Sequence, residues 1–551
     1  MPGGLLQLVG RGAQDQLVTG NPSFTHFRSV YKRHTDFAME HFRLYFKTSV
    51  LTFPTSGTLT LRTKVERYAQ LLNDCYLSID LPNIYSSISG GRSYEFQWVR
   101  NIGYNMIRRV SILINGQEIV RHTGEWMKLY ANLTFDANKI AILDRMTGNV
   151  PELYDPANAL GRTASYPNAI PSSSRYEPSI HGRTLLIPLH FWFCETIGQS
   201  LPMVALQQSE VEIVVELNNA YQLFTVLDVR STASPRPRIP PDQSNPLFSM
   251  SRFLSPTLAD AATNVIPDLK TWNMNPFLEC NYIFVGDTEL SYIARTDHSF
   301  MISQVDMVQA DGQYGPSNDL ELTMKNLVTR ILWVFQRSDR ITQNDPDNYT
   351  NWENPYMFPL GSLNAGSGLA VDSNVSQRDI LLESTLMLDG QERFSPKQTL
   401  FFSGLQLYRF QTGNPMSGVY EYSFALNNDP AQPSGSINGS MFNKTLLRNT
   451  LITPPGTSGG GIPAGATTTV CILKSTAGSK NPLVITAPNV IDPNTGKPLY
   501  GPEDLITIVR KTDATGTPLN TFKYTYTVRA YTQSYNFLRI TGGIGNVVFS
   551  S

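Results

Sequence analysis

Charge is what this sequence has least of. Only 16% of its 551 residues are charged, against about 25% in an average globular chain. The 44 Lys and Arg are balanced by 45 Asp and Glu, for a net charge of −1. A protein that wraps nucleic acid needs a basic excess to displace counterions from phosphates, so direct genome binding is not expected. Cysteine is nearly absent: Cys75, Cys194, Cys280 and Cys471 lie far apart, with no CxxC pair. That argues against a zinc site and a disulfide framework and fits a reducing compartment. Long apolar runs are missing too. The longest, Leu185 to Cys194, is interrupted by Pro188 and His190 and cannot span a bilayer. The opening MPGGLLQLVGRGAQDQ has too short an apolar run for a signal peptide. The expectation is a soluble chain made inside the cell, not membrane-spanning, with no cofactor and no metal.

What is abundant points to strands. The chain has 25 Tyr, 27 Phe, 36 Pro and 39 Gly, and aromatic segments punctuated by turn residues describe an all-β protein. Its length implies two to four domains. Two octapeptides are nearly the same, SILINGQE at Ser111 to Glu118 and TLMLDGQE at Thr385 to Glu392. Each reads as a hairpin tip, because Asn115-Gly116 and Asp389-Gly390 are favoured where both central residues need φ > 0. Other landmarks recur in the same order, about half the chain apart. TDFAMEHFRLYF (35–46) resembles HSFMISQVDMV (298–308), and GTLTLRT around Leu59 resembles NDLELTM around Leu320. CYLSIDL (75–81) has its counterpart in RILWVFQ (330–336), and LLIPLHFWFC (185–194) in VYEYSFAL (419–426). Ordered landmarks with drifting offsets indicate a tandem duplication.

Each half holds roughly eight short period-2 segments, so the predicted fold is all-β: two tandem eight-stranded antiparallel jelly rolls. The predicted divisions are an N-terminal arm over 1–24, a first roll over 25–229, a Pro-rich linker over 230–270 and a second roll over 271–551. The stretches 136–182, 338–373, 442–465 and 481–513 are rich in Asn, Pro, Gly and Ser and are expected to be surface insertions.

Catalytic chemistry is thin. GTSGG (Gly456 to Gly460) matches GxSxG but sits in a low-complexity loop, without the strand and helix a nucleophile elbow requires. His190 and Cys194 stand four apart in what reads as an apolar strand, a buried pair rather than a nucleophile and base. NDPDN (344–348) lacks the Gly and distal Glu of a calcium loop, and His34 and His41 fit no metal-ligand spacing. Arg28, Lys32, Arg33 and His34 among aromatics read as a solvated face or a protein contact. No catalytic, cofactor or metal residue is expected. Sequons stand at Asn132, Asn348, Asn374, Asn438 and Asn443. Asn348 and Asn374, in or beside a long insertion, are the candidates for glycosylation. In the arm, Leu5, Leu6, Leu8 and Val9 are apolar residues among glycines, expected to gain contacts on assembly.

GAQDQLVTGNPSFTHFRSVYKRHTDFAME resembles the opening signature of major capsid proteins of nucleocytoplasmic large DNA viruses. The resemblance continues through IRRVSILINGQEI, PLHFWFCETIGQSLPMVALQQSEVEI, LMLDGQERFSPKQTLFFSGLQLYRFQTGNPMSGVYEYSFAL and YNFLRITGGIGNVVFSS. It implies a double jelly roll whose homotrimer is a pseudo-hexagonal capsomer. It also implies contacts with neighbouring capsomers and with minor capsid and penton proteins beneath the shell, close to an internal viral membrane. The implied location is the virion capsid, made and assembled in the host cytoplasm. A minor capsid or penton paralogue, or a jelly-roll lectin that attaches the virion, is the alternative; fold alone does not separate them.

Overall fold

The computed structural model describes residues 3–48, 51–86, 88–89, 92–169, 177–228, 238–241, 248–255, 270–313, 316–352, 355, 378–428, 432–452, 468–473, 505–510 and 524–549. Two short helices, α1 (Gly3–Val9) and α2 (Ala13–Thr19), precede the first sheet and bury none of their residues.

The principal strands of the first half are β1 (Phe37–Tyr45), β2 (Leu59–Lys64), β3 (Leu71–Asp80), β4 (Ile107–Ile114), β5 (Gln117–Thr123), β6 (Thr184–Pro188), β7 (Val211–Leu217) and β8 (Phe277–Val285). Those of the second are β9 (His298–Gln313), β10 (Ser317–Glu321), β11 (Leu327–Arg337), β12 (Leu381–Leu388), β13 (Gln391–Glu392), β14 (Val419–Ser423), β15 (Thr445–Leu451) and β16 (Tyr526–Thr541). In the first half β1-β8-β3-β6 form one sheet and β2-β7-β4-β5 the other, every pairing antiparallel. In the second the orders are β9-β16-β11-β14 and β10-β15-β12-β13. Adding eight to each label of the first half reproduces the second. This is the jelly-roll order, written twice.

The duplication holds at the level of single bonds. Asn115 and Gly116 have φ 53° and 79°, Asp389 and Gly390 47° and 83°, so both tips are the expected type I′ turns. The Asn115 N–H donates to the Glu210 carbonyl (2.9 Å), and the Glu210 N–H donates to Asn115 Oδ1 (3.0 Å). Asp389 and Lys444 repeat the exchange at 2.9 and 2.8 Å. β4 and β12 share one order of buried and exposed positions over eight residues, and β7 and β15 over seven. Inside each sandwich the apolar faces meet: Leu61, Leu77, Ile112 and Val215 in the first, Leu320, Trp333, Leu386 and Leu447 in the second.

Several expectations are corrected. β8, expected at the start of the second half, lies between β1 and β3 and closes the first sheet. Leu278, Cys280 and Tyr282 are buried there, in the core of the first half. The Pro-rich stretch is therefore a connection within the first half, and its Arg238–Ile239 pairs with Leu227 and Val226. Cysteines distant in sequence also meet: Cys75 and Cys280 are cross-strand partners with their Sγ atoms 3.3 Å apart. The expected surface insertions carry core. Segment 136–182 contains α4 (Ala137–Thr147) and buries Leu143, Leu153 and Ile180, and 442–465 contains β15. Phe191 to Cys194 is not a strand. His190 turns at φ 50°, and a 3₁₀ turn over Trp192–Cys194 drops Trp192 and Phe193 into the core.

Candidate functional site

The two halves meet along a seam centred on one helix, with further contacts such as Gln304 to the Ile119 carbonyl (2.6 Å) and the Gln208 N–H to the Gly543 carbonyl (3.1 Å). α3 (Gly124–Thr134) follows β5, starts where the Thr123 hydroxyl accepts the Trp126 N–H (3.1 Å), and is buried along nearly all its length. It lies on the outer face of the second half's β9-β16-β11-β14 sheet, the face turned away from that half's own sandwich core. Leu332, Val334, Val419 and Tyr531 on that face join the core of the first half. The Trp126 and Tyr531 rings are 5.5 Å apart.

Three charged clusters lie in this seam. Glu125 accepts hydrogen bonds from Arg529 Nε (2.5 Å) and Nη2 (2.7 Å), from the Tyr349 hydroxyl (2.8 Å) and from the Tyr531 hydroxyl. Burial alone would push the Glu125 carboxyl up, but the Arg529 guanidinium, with help from Lys128 and Tyr531, holds it at about 2. Lys128 Nζ pairs with Asp347, both side chains almost wholly buried. Asp347 also accepts from Asn101 (2.6 Å) and Asn105 (3.0 Å). Arg330 sits 3.6 Å from Glu421, donates to Gln533 (2.5 Å) and lies over the Trp126 and Tyr130 rings. Glu421 is pushed up by burial against the pull of Arg330, and accepts from Gln411 and Asn428.

Beside this cluster a cavity of about 20 Å³ is lined by His122, Trp126, His190, Trp192 and Gln533. It is sized for about one water molecule, and His122 Nδ1 and Trp192 Nε1 have no protein partner there. Burial lowers His190 to about 3 and His122 to about 4, so both are neutral at physiological pH. The Cys194 thiol is raised by burial. A neutral His hydrogen-bonded to the Tyr104 hydroxyl at 2.8 Å and a protonated thiol make no nucleophile pair. A larger cleft, about 560 Å³, opens between the halves near Arg108, Met307, Gln309, Ile341 and Arg529. Its carboxylate, Glu125, is fully ionised at neutral pH and already engaged. It has no proton to donate. Among the described residues no group of three or more His, Cys, Asp or Glu could hold a metal.

Of these seam residues the sequence drew attention to His190 and, within NDPDN, to Asp347, in neither case for an ion pair; Glu125, Lys128, Arg330, Glu421 and Arg529 were not singled out. The signal was one or two charges set among apolar residues: GEWMKLY, RILWVFQ, VYEYSFAL and YTVRAY. Asn348, expected as a glycan acceptor, is fully buried. Its amide donates to Asp345 and Trp352 and accepts from Thr350, so a glycan would have to break the segment open. Asn374 and GTSGG lie outside the described residues. Leu5, Leu6, Leu8 and Val9 fall on α1, all exposed, as is the Arg28 to His34 cluster.

The model for the major capsid protein N-terminus matches residues 25–254, and the model for the large eukaryotic DNA virus major capsid protein matches 289–476. The chain belongs to this family. The major capsid protein of Phaeocystis pouchetii virus is 27% identical over 516 residues, covering 81% of this chain and 92% of the relative. That of Paramecium bursaria Chlorella virus 1 is 25% identical over 467 residues, covering 81% and 87%. In fold, the chain matches a subunit of the PBCV-1 virus capsid at TM-score 0.59 and 19% identity, covering 96% of this chain and 100% of that one. It matches the Faustovirus major capsid protein at 0.58 and 12%, covering 98% and 96%. This double jelly roll is a structural component of a virion capsid and not an enzyme. Among the described residues no helix is long and apolar enough to cross a membrane.

Proposed function

We propose that the chain builds a homotrimeric capsomer, six sandwiches around one axis, that tiles an icosahedral shell assembled in the host cytoplasm. The observation that carries this reading is the pair of jelly rolls with one strand order, locked at a fixed angle by α3. A rigid unit with two similar sandwiches offers a lattice two similar wedges, so three chains approximate a hexagon. The first roll would span residues 25–285 and the second 298–549. The exposed arm with Leu5, Leu6, Leu8 and Val9 would face inward, toward minor capsid and penton proteins and an internal membrane, ordering when those partners arrive. Sedimentation velocity tests the oligomer: the expected particle has about three times the 61.5 kDa chain mass. A folded single chain at micromolar concentration would reject it, since subunits of permanent assemblies commonly bury more than about 2,000 Å².

A further inference from the structure

The second roll has its own counterpart of α3. Between β13 and β14, where the first roll places α3 between β5 and β6, a helix runs as a π-helical Phe401–Leu405 followed by α5 (Gln406–Phe410). Its inner side is packed: Phe402 meets the Trp333 ring at 5.1 Å, and Gln406 accepts the Ser423 N–H. Its outer side is bare. Leu405 is 54% exposed, Tyr408 90%, and Leu400 also faces solvent. The corresponding side of α3 is where Glu125 and Trp126 meet Arg529 and Tyr531.

The surface that α3 covers also has a counterpart. It is the outer face of β1-β8-β3-β6 in the first roll. The registers Tyr45↔Phe277, Phe277↔Ser78 and Ser78↔Leu186 set these four side chains in one row across that face. Tyr45 is 68% and Leu186 37% exposed and Phe277 is partly exposed, while the small Ser78 between Phe277 and Leu186 is buried. A single chain therefore joins one helix to one sheet face, and leaves a second helix and a second sheet face of the same kinds uncovered.

We propose that the bare helix side, Leu400, Leu405 and Tyr408, docks on the outer face of the β1-β8-β3-β6 sheet of a second copy of the chain, at Tyr45, Phe277 and Leu186. The contact repeats between chains the seam that α3 makes within one. It rests on the capsomer reading and adds to it which surfaces meet. The joint is head-to-tail, so copies add in one direction until the ring closes.

Three variants of the full chain test this by sedimentation velocity. Leu405→Asp with Tyr408→Asp spoils the helix side alone, and Tyr45→Asp with Leu186→Asp spoils the sheet side alone. Each is expected to sediment as single chains. Mixed, they share one intact contact, the first variant's sheet with the second's helix, and should form two-chain particles and nothing larger. Three-chain particles from either variant alone, or no association on mixing, would overturn the proposal. The milder Tyr408→Ala touches a side chain that packs on nothing within the chain. It should raise the midpoint concentration of assembly about tenfold, as loss of a central aromatic anchor does, and an unchanged midpoint would overturn the proposal as well. Wild-type protein that sediments as single chains would instead remove the capsomer reading itself.

Discussion

Replacing Arg529 by Met removes the cation from the most heavily hydrogen-bonded carboxylate in the seam. In the native chain Glu125 titrates at about 2 against an ordinary value of 4.5. A depressed carboxyl stabilises the fold above its unfolded value, and that contribution fades as pH falls from 4.5 toward 2. The depression corresponds to about 3 kcal/mol at neutral pH, at 1.36 kcal/mol per unit. Without Arg529 burial wins, and the Glu125 value moves above 4.5. The sign then reverses, because a raised carboxyl is least harmful below its unfolded value and costs more as pH climbs through its folded one. Arg529→Met should therefore lose about 3–5 kcal/mol at pH 7, the usual result of stranding one member of a buried pair. Relative to the native protein it should regain part of that at pH 5, where native Glu125 is still ionised and contributes as it does at pH 7. Adding Glu125→Gln should restore most of the loss, since no charge is then left unpaired. Urea unfolding at the two pH values, followed by intrinsic fluorescence, measures all three effects. A single variant within about 1 kcal/mol of native at pH 7, or one whose loss does not shrink on acidification, would refute the account of the seam.

Other positions give sharper local tests. Gly116→Ala and Gly390→Ala should each cost about 1–2 kcal/mol, and similarly, because both sit at positive φ with open space around them. Gly418→Ala has the same backbone requirement, but its Cβ would stand 2.2 Å from the Tyr349 carbonyl oxygen. It should cost several-fold more in the same urea assay. Asp345 is pushed up by burial to about 6, against the pull of Arg340. It destabilises the fold increasingly as pH rises from 3.8 through 6, so Asp345→Asn should add about 2–3 kcal/mol at pH 8 and almost nothing at pH 4. Removing residues 1–12 deletes no buried side chain among the described residues 3–12. It should leave the thermal midpoint and the oligomer unchanged while impairing shell assembly, seen by electron microscopy of particles.

Short-range rules carried the sequence reading where a side chain's role is local. Asn115-Gly116 and Asp389-Gly390, each between two apolar strands, form the expected turns, whereas Asn438-Gly439, with no such flanks, opens a 3₁₀ turn with Asn438 at φ −77°. Period-2 alternation such as VEIVVEL marks a strand with one buried face. Long-range pairing was not legible. β8 follows a stretch of Pro and polar residues, and nothing in FLECNYIFV states that its partners are β1, before it by more than 200 residues, and β3. Segment 338–352 looked like a loop because Asp, Asn and Arg fill it. Those same groups are buried because they satisfy one another, as Arg337 does with Asp339 at 2.7 Å. Polar composition signals exposure only when the partners are water.

The two rolls also show where duplicated sequences must part. Their inner faces answer one demand, a sandwich core, and the matched burial of β4 with β12 and of β7 with β15 follows from it. Their outer faces answer different demands. β11 is buried at every position after Leu327 because α3 covers its far side, so Arg330 and Gln336 are interior residues. β3 keeps Asp74, Tyr76 and Asp80 only half-buried. A strand covered on both faces tolerates charge only where a partner waits, as Glu421 does for Arg330, while one left open tolerates it anywhere. The asymmetry between β3 and β11 thus records which sandwich face is covered within one chain and which, on the docking proposed above, is left for a second copy.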